Sequence, residues 1–381
     1  MSAPAEVAAS PAPGGRALII GCRTIPIILP QRGDPRLKLS AVIITLQVLG
    51  QTMLGFKVSI AQILISVAVG AVVETTVIFW GQHRVVWPAS GILTGNSVAL
   101  LLRASGTRHG DWWSLHGAGF FVLAVGFGLA AKHLIRPAGH HLFNPSNVGL
   151  VWTLLVIGPG HVFPQYLWWG PNRLGVTLAY VVIVAGAIWV LRPVGMVAMA
   201  TAFVVTFTVL IGLFALGGAS FIAIWHQGPI SGLAFWGLVA LSPEVLVFVF
   251  FMMSDPQTAP KAPGARVRYG AATAVVAAIL LAFQPTEFGI KLAILASLTA
   301  ACAVVPIIER LADRLHRRNL RGVAAQPRPA RPWWKWQGAR TPALAAVVII
   351  AFAATVNTVA LAHNTQVINI ERGVTGSHNP Q

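Results

Sequence analysis

Ten to eleven apolar runs, each near the length of a bilayer-spanning helix, succeed one another along this chain of 381 residues. About 20 residues of helix cross the roughly 30 Å hydrocarbon core of a membrane. The runs fall at 39–56, 58–80, 85–102, 113–135, 144–160, 174–191, 194–216, 229–253, 269–284, 288–308 and 341–362. Hydrocarbon offers no hydrogen bonds, so each run must satisfy its own backbone, and a helix does so within one segment. Charged residues make up 10% of the chain, against about a quarter in soluble domains. The expected fold class is an all-α polytopic membrane protein of about ten spans, multi-pass in the inner (plasma) membrane.

The formal net charge of +17 points to a nucleic-acid partner until the cations are placed. With the N-terminus in the cytoplasm, 21 of the 27 Lys and Arg fall on the inside. They include Arg32, Arg36, Lys38, Arg84, Lys132, Arg136, Arg192, Arg266 and the nine between Arg310 and Arg340. The positive-inside rule therefore orients the chain and removes nucleic acid as a partner. Membrane lipids are the partner expected for the basic stretch, which carries Trp333, Trp334 and Trp336 among its cations.

The resulting organisation is a cytoplasmic N-terminal arm (1–38), a ten-span core (39–308), a basic cytoplasmic linker (309–340), an added transmembrane helix (341–362) and an external tail (363–381). The arm has no basic cluster before its apolar run, and Arg23 and Pro26 interrupt that run, so it does not read as a cleaved signal. Cys22 and Cys302 have neither metal spacing nor a disulfide framework. Among the histidines only His133 lies near a span interior, and no pair has ligand spacing, so no metal site is expected.

Two spans are interrupted. The third reads Trp87-Pro88-Ala89-Ser90-Gly91-Ile92-Leu93-Thr94-Gly95-Asn96-Ser97, with small and hydroxyl residues where Leu or Val is usual. The eighth has Pro243 and Glu244 inside it and ends in Ser254-Asp255-Pro256-Gln257-Thr258-Ala259-Pro260. Broken spans at matching positions of two halves point to a midplane site. Being five apart, these two cross in opposite senses, which predicts an inverted five-plus-five repeat with the eleventh span appended. The plainer account is that small residues let helices approach closely.

A polar turn, Asn144-Pro145-Ser146-Asn147, opens the fifth span. Asn is a good N-cap and Pro suits the first helical position, so a helix start alone explains it. Its place on the cytoplasmic face beside Lys132, Arg136, His140 and His141 also suits an anion at a helix N-terminus. The Asp255–Pro260 turn ends span eight on the same face, so the two could wall one pocket. Glu74 and Glu244 stand inside spans, where acids are functional candidates by default. Glu74 is expected to pair with Arg84. Glu244 has no cation adjacent in sequence and reads as functional.

Three segments, in order, resemble one family. Ser90-Gly91-Ile92-Leu93-Thr94-Gly95 followed by Leu100-Leu101-Leu102 is the first, and Phe143-Asn144-Pro145-Ser146-Asn147-Val148-Gly149 is the second. Phe250-Phe251-Met252-Met253-Ser254-Asp255-Pro256-Gln257-Thr258-Ala259-Pro260 is the third. They are similar to motifs of the RnfD/NqrB family, membrane components of the Rnf electron-transport complex and of the sodium-pumping NADH:quinone reductase. The resemblance covers about residues 36–308. The Asn-Pro-Ser-Asn form and the extra span look like a divergent branch named after enediyne-biosynthesis clusters.

The resemblance implies a ten-span inverted-repeat core and a flavin-binding subunit of a membrane electron-transport complex, with other subunits as partners. The family's covalent FMN acceptor, a threonine ending Ser/Thr-Gly-Ala-Thr, is absent after Gly149. The nearest string is Thr375-Gly376-Ser377-His378. The implied cofactor is thus riboflavin or FMN held without a covalent bond, by Thr94, Gly95, Asn144, Asn147, Asp255, Thr258 and Glu244. The alternative is a transporter or channel for a small polar molecule, a flavin or natural product, through the same cavity. No residue is assigned a catalytic role.

Overall fold

The computed structural model describes residues 16–20, 23–31, 33–136, 141–167, 169 and 172–320, with 16–24 and 305–320 by backbone alone. The expected tail, the eleventh span and the linker beyond 320 lie outside the described residues. Eleven helices carry most of the described chain: α1 (Pro35–Thr52), α2 (Ile60–Gln82), α3 (Ala89–Leu101), α4 (Ala118–Leu134), α5 (Pro145–Ile157), α6 (Arg173–Val194), α7 (Val197–Leu216), α8 (Gly232–Leu241), α9 (Pro243–Val247), α10 (Pro263–Leu281) and α11 (Glu287–Leu320). α9 continues as a π-helical turn, Phe248–Met253.

Among the described residues six segments are long and apolar enough to cross a membrane: α2, α6, α7, the interrupted Gly232–Met253, α10, and α11 up to Val304. Their outward faces are as apolar as their inward ones. Leu178, Val181, Val184 and Ile188 of α6 and Val205, Val209 and Leu213 of α7 are exposed, while Phe203 and Phe207 of α7 are fully buried. Water would not tolerate such surfaces; lipid does. The molecule is therefore helical and multi-pass, with no barrel among the described residues.

Three of the remaining expected spans, α3, α4 and α5, are shorter apolar helices. At 13 residues each, α3 and α5 rise only about 20 Å. Both continue as extended chain, α3 into β4 (Leu102–Ala104), and α5, after Gly158, into β5 (Val162–Pro164). These strands pair antiparallel, with Arg103 opposite Phe163. The pairing satisfies backbone groups that a full-length helix would have satisfied internally. Hydropathy alone does not distinguish a helix from an apolar helix that becomes a strand.

The arm holds more order than expected. β1 (Arg16–Ile20) and β2 (Arg23–Ile28) form an antiparallel pair, and β2 adds β3 (Val85–Val86) in parallel. β6 (Ser220–Phe221) and β7 (Ile230–Ser231) make a further short pair. Asp34 caps α1 by accepting from the Arg36 amide at 2.9 Å, and the Arg36 guanidinium beside it holds the Asp34 carboxyl below its usual range. At the far end, α11 runs past residue 308 to Leu320. Leu311, Ala312 and Leu315 favour helix, and no Gly or Pro intervenes after Pro306 until Gly322.

Two crossings in the first half of the chain are tight enough to exclude side chains. A Cβ on Gly70 would overlap the Gly91 carbonyl, and one on Gly95 the Ser66 carbonyl, so α2 and α3 touch backbone to backbone. α4 and α5 do the same through Gly128 against the Pro145 carbonyl and Gly149 against the Ala124 carbonyl. Small residues drive such packing where no hydrophobic effect separates helix from lipid. This close approach accounts for Gly91 and Gly95 without a ligand.

Candidate functional site

The α2–α3 crossing sets Glu74 beside the start of α3, and α4 brings Lys132 and His133 to it. Lys132 Nζ lies 2.6 and 2.8 Å from the two Glu74 oxygens and 2.8 Å from Ser90 Oγ. His133 Nε2 is 3.2 Å from Glu74 Oε2. The three ammonium protons thus each have an acceptor. Glu74 does not pair with Arg84. His83, in the left-handed region at φ 49°, turns the chain at the end of α2, and Arg84 Nε donates to Gln82 at 2.5 Å. The partner is supplied 58 residues away, a distance that no helical spacing can report.

At the same end the two polar turns meet. His141 Nε2 is 3.1 Å from Asp255 Oδ2, and Asn144 Nδ2 donates to the Met252 carbonyl at 3.1 Å. That carbonyl is available because the residue four positions on is Pro256, which has no N–H to offer it. Asn144 Oδ1 in turn accepts from the Asn147 amide at 3.1 Å and from Ser146 Oγ at 2.8 Å, the N-cap that starts α5. Asp255 organises its own turn through Gln257 N–H at 3.0 Å, and Thr258 Oγ1 donates to the Asp255 carbonyl at 3.3 Å. One turn into α5, Asn147 Nδ2 reaches α11, donating to the Leu295 carbonyl and to Thr299 Oγ1, both at 2.9 Å. Asn147 Oδ1 is buried with no hydrogen-bond partner. Tyr269 OH of α10 lies 3.5 Å from Cys302 Sγ of α11.

The structure therefore brings Asn144, Asp255 and Thr258 into one hydrogen-bonded knot, with Asn147 directly beneath it. Thr94 and Gly95 sit within α3, where Thr94 Oγ1 bonds back to the Ser90 carbonyl at 2.9 Å and Gly95 makes the backbone contact with α2. Glu244 is elsewhere. It stands at the opposite end of α5 and α11, 2.8 Å from Lys291 Nζ. Glu287 lies 3.6 Å from the same ammonium, and accepts from Trp225 Nε1 at 2.8 Å and from the Leu167 amide. Lys291 was legible as a lone cation inside an apolar run, the same signal that marks an intramembrane acid. Arg103, buried in β4, was not, because apolar content alone does not announce the strand that positions it.

The knot's carboxamides, hydroxyl, carboxylate and imidazole offer both donors and acceptors, and the Asn147 Oδ1 acceptor lacks a donor. No family model matches this sequence, and no curated protein matches it either.

Proposed function

We propose that this chain is a membrane-embedded subunit of an electron-transport complex that binds riboflavin or FMN noncovalently at the cytoplasmic end of α5. One observation carries the reading. The three segments that resemble RnfD/NqrB motifs lie far apart in sequence, yet they converge at one end of the molecule. The second and third are joined by the Asn144–Met252 and His141–Asp255 contacts, and the first reaches α4 through Ser90 and Lys132. Helix packing alone does not require the second and third segments to share polar contacts.

A bound flavin supplies a carrier of one or two electrons. The protein's part is to hold and orient it: Asn144 and Asn147 through their carboxamides, Asp255 and Thr258 through the turn after the π-helical segment. Glu74 and Lys132 neutralise each other beside it, so the site gains no net charge from that pair. Glu244 has no part in this site. Its position at the other end of α11 assigns it a separate role.

The expected inverted repeat fits the packing. α1 lies against α3 as α6 does against α9, α2 against α4 as α7 does against α10, and α4 against α5 as α10 does against α11. α5 and α11 also start alike, at opposite ends, with Asn144 capping one and Thr286 Oγ1 accepting from Gly289 N–H at 3.2 Å in the other. The N-terminus lies in the cytoplasm in this reading, since Arg84 and Arg136 follow α2 and α4 and Lys132 stands in the last turn of α4.

A second reading, transport of a small polar molecule, is favoured by the broken segments: α3 and α5 stop short of a membrane's width, and Gly232–Met253 is interrupted at Ser242-Pro243. Discontinuous helices of this kind line solute sites.

Asn144→Ala and Asp255→Ala separate the two. In the flavin reading each lowers the flavin copurifying with the protein at least tenfold, while membrane insertion and the elution profile are retained. Undiminished flavin in both variants moves the site away from the knot.

A further inference from the structure

At the end of the molecule opposite the knot, cations and hydrogen-bond donors outnumber their acceptors. The β4–β5 pair, the start of α11 and the loop at Trp225 border a shallow cleft, open to solvent, whose enclosed volume is about 10 Å³, room for about one water. Phe163, Tyr166 and Phe288 wall it, and Glu287 and Lys291 reach into it.

Three cations gather here. Lys291 is 3% exposed and Arg103 6%. The Arg103 guanidinium carbon lies 4.0 Å from the centre of the Tyr166 ring and 5.2 Å from that of Phe163, and Lys57 Nζ lies 5.7 Å from Tyr166. Two carboxylates oppose them. Glu287 is already held by Trp225 Nε1 and the Leu167 amide. Glu244 is within 2.8 Å of Lys291, but off the line of a hydrogen bond, so neither Lys291 Nζ nor Glu244 Oε2 has an aligned partner. Arg103 Nε and Gln165 Nε2 are likewise buried without acceptors. Stacking on Tyr166 uses the face of a guanidinium and leaves its N–H edge to bond.

Unsatisfied buried donors are costly, more so when charged. The surplus is of donors and of positive charge, and the group that meets both is an anion. We infer that this cleft binds a small oxyanion, a carboxylate or a phosphate group, at its solvent-open side, with Arg103 and Lys291 as its ligands. Glu244 and Glu287 keep Lys291 in place when the anion is absent. Guanidinium and ammonium paired in this way match carboxylate and phosphate oxygens closely. The site is independent of the flavin reading, since it shares no residue with the knot.

The test uses the full chain in detergent, in a buffer whose only other anion is a bulky sulfonate. The thermal midpoint is followed against acetate in one series and inorganic phosphate in another. A saturable rise with either supports the site and identifies which oxyanion it prefers. Arg103→Gln and the charge-neutral pair Glu244→Gln/Lys291→Met each weaken the apparent affinity at least tenfold, and Arg103→Gln leaves copurifying flavin unchanged. A midpoint that shifts only linearly in both series overturns the proposal. So does wild-type affinity in either variant when it elutes as the wild type does.

Discussion

Glu74→Leu destabilises the protein by about 3–5 kcal/mol, the cost of leaving one partner of a buried ion pair alone. The number is large because Lys132 has nowhere else to go. Two of its three short contacts are to Glu74, the third is to Ser90, and its side chain is 12% exposed. His133 loses its contact in the same substitution. The companion double substitution Glu74→Leu/Lys132→Met removes both charges and restores most of the loss, because a pair replaced by apolar residues of similar volume is often neutral. Reversible unfolding in mixed micelles measures both. Wild-type stability in the single variant would show that the pair contributes nothing to holding α2 and α4 together.

Gly149→Leu has the second large effect, and its mechanism is steric. The Cβ alone would overlap the Ala124 carbonyl, and Gly128 across the crossing meets the Pro145 carbonyl in the same way. A backbone contact cannot be relieved by a rotamer change, so α4 and α5 must separate. Overpacking of this kind costs about 1–3 kcal/mol, occasionally more, and here it also pulls the Asn144 cap from the Met252 carbonyl. Gly126, on the same helix α4, is the internal control, since a Cβ there meets nothing within 4 Å. Gly126→Ala is expected to be neutral or to stabilise by up to about 1 kcal/mol, as alanine favours a helix interior over glycine. Equal unfolding midpoints for Gly149→Leu and Gly126→Ala would refute the close crossing.

The helices are legible in the sequence because apolar runs are local. The run 58–80 corresponds to Ile60–Gln82 and 194–216 to Val197–Leu216, with Gly195 at φ 67° making the turn between α6 and α7. Asn-Pro as a helix start is legible for the same reason: a cap and a fixed φ act within one turn. What is not legible is what crosses long stretches of chain. Glu74 and its Lys132, Asn147 and its α11 carbonyl, and Glu244 and its Lys291 are joined by tertiary packing that leaves no period in the sequence. For the Asn144 and Asp255 turns, topology supplies only a shared face; their meeting is a matter of tertiary structure. Hydropathy likewise overestimates α3 and α5, since the run 85–102 takes in β3 and Pro88 and the run 144–160 takes in Gly158, Pro159 and Gly160, all outside the helices.

The two ends of the molecule divide the chemistry. One holds the knot built from the second and third motif segments, beside the neutralised Glu74–Lys132 pair. The other holds Glu244, Lys291 and Arg103 with donors unmet. The proposed electron transfer through the first requires a chromophore, and that gives the most direct measurement. A visible absorption spectrum of the purified protein should show flavin bands near one flavin per chain, bleached on reduction and released by acid without a residual covalent fraction. A colourless protein that instead moves a polar solute into liposomes would contradict the account.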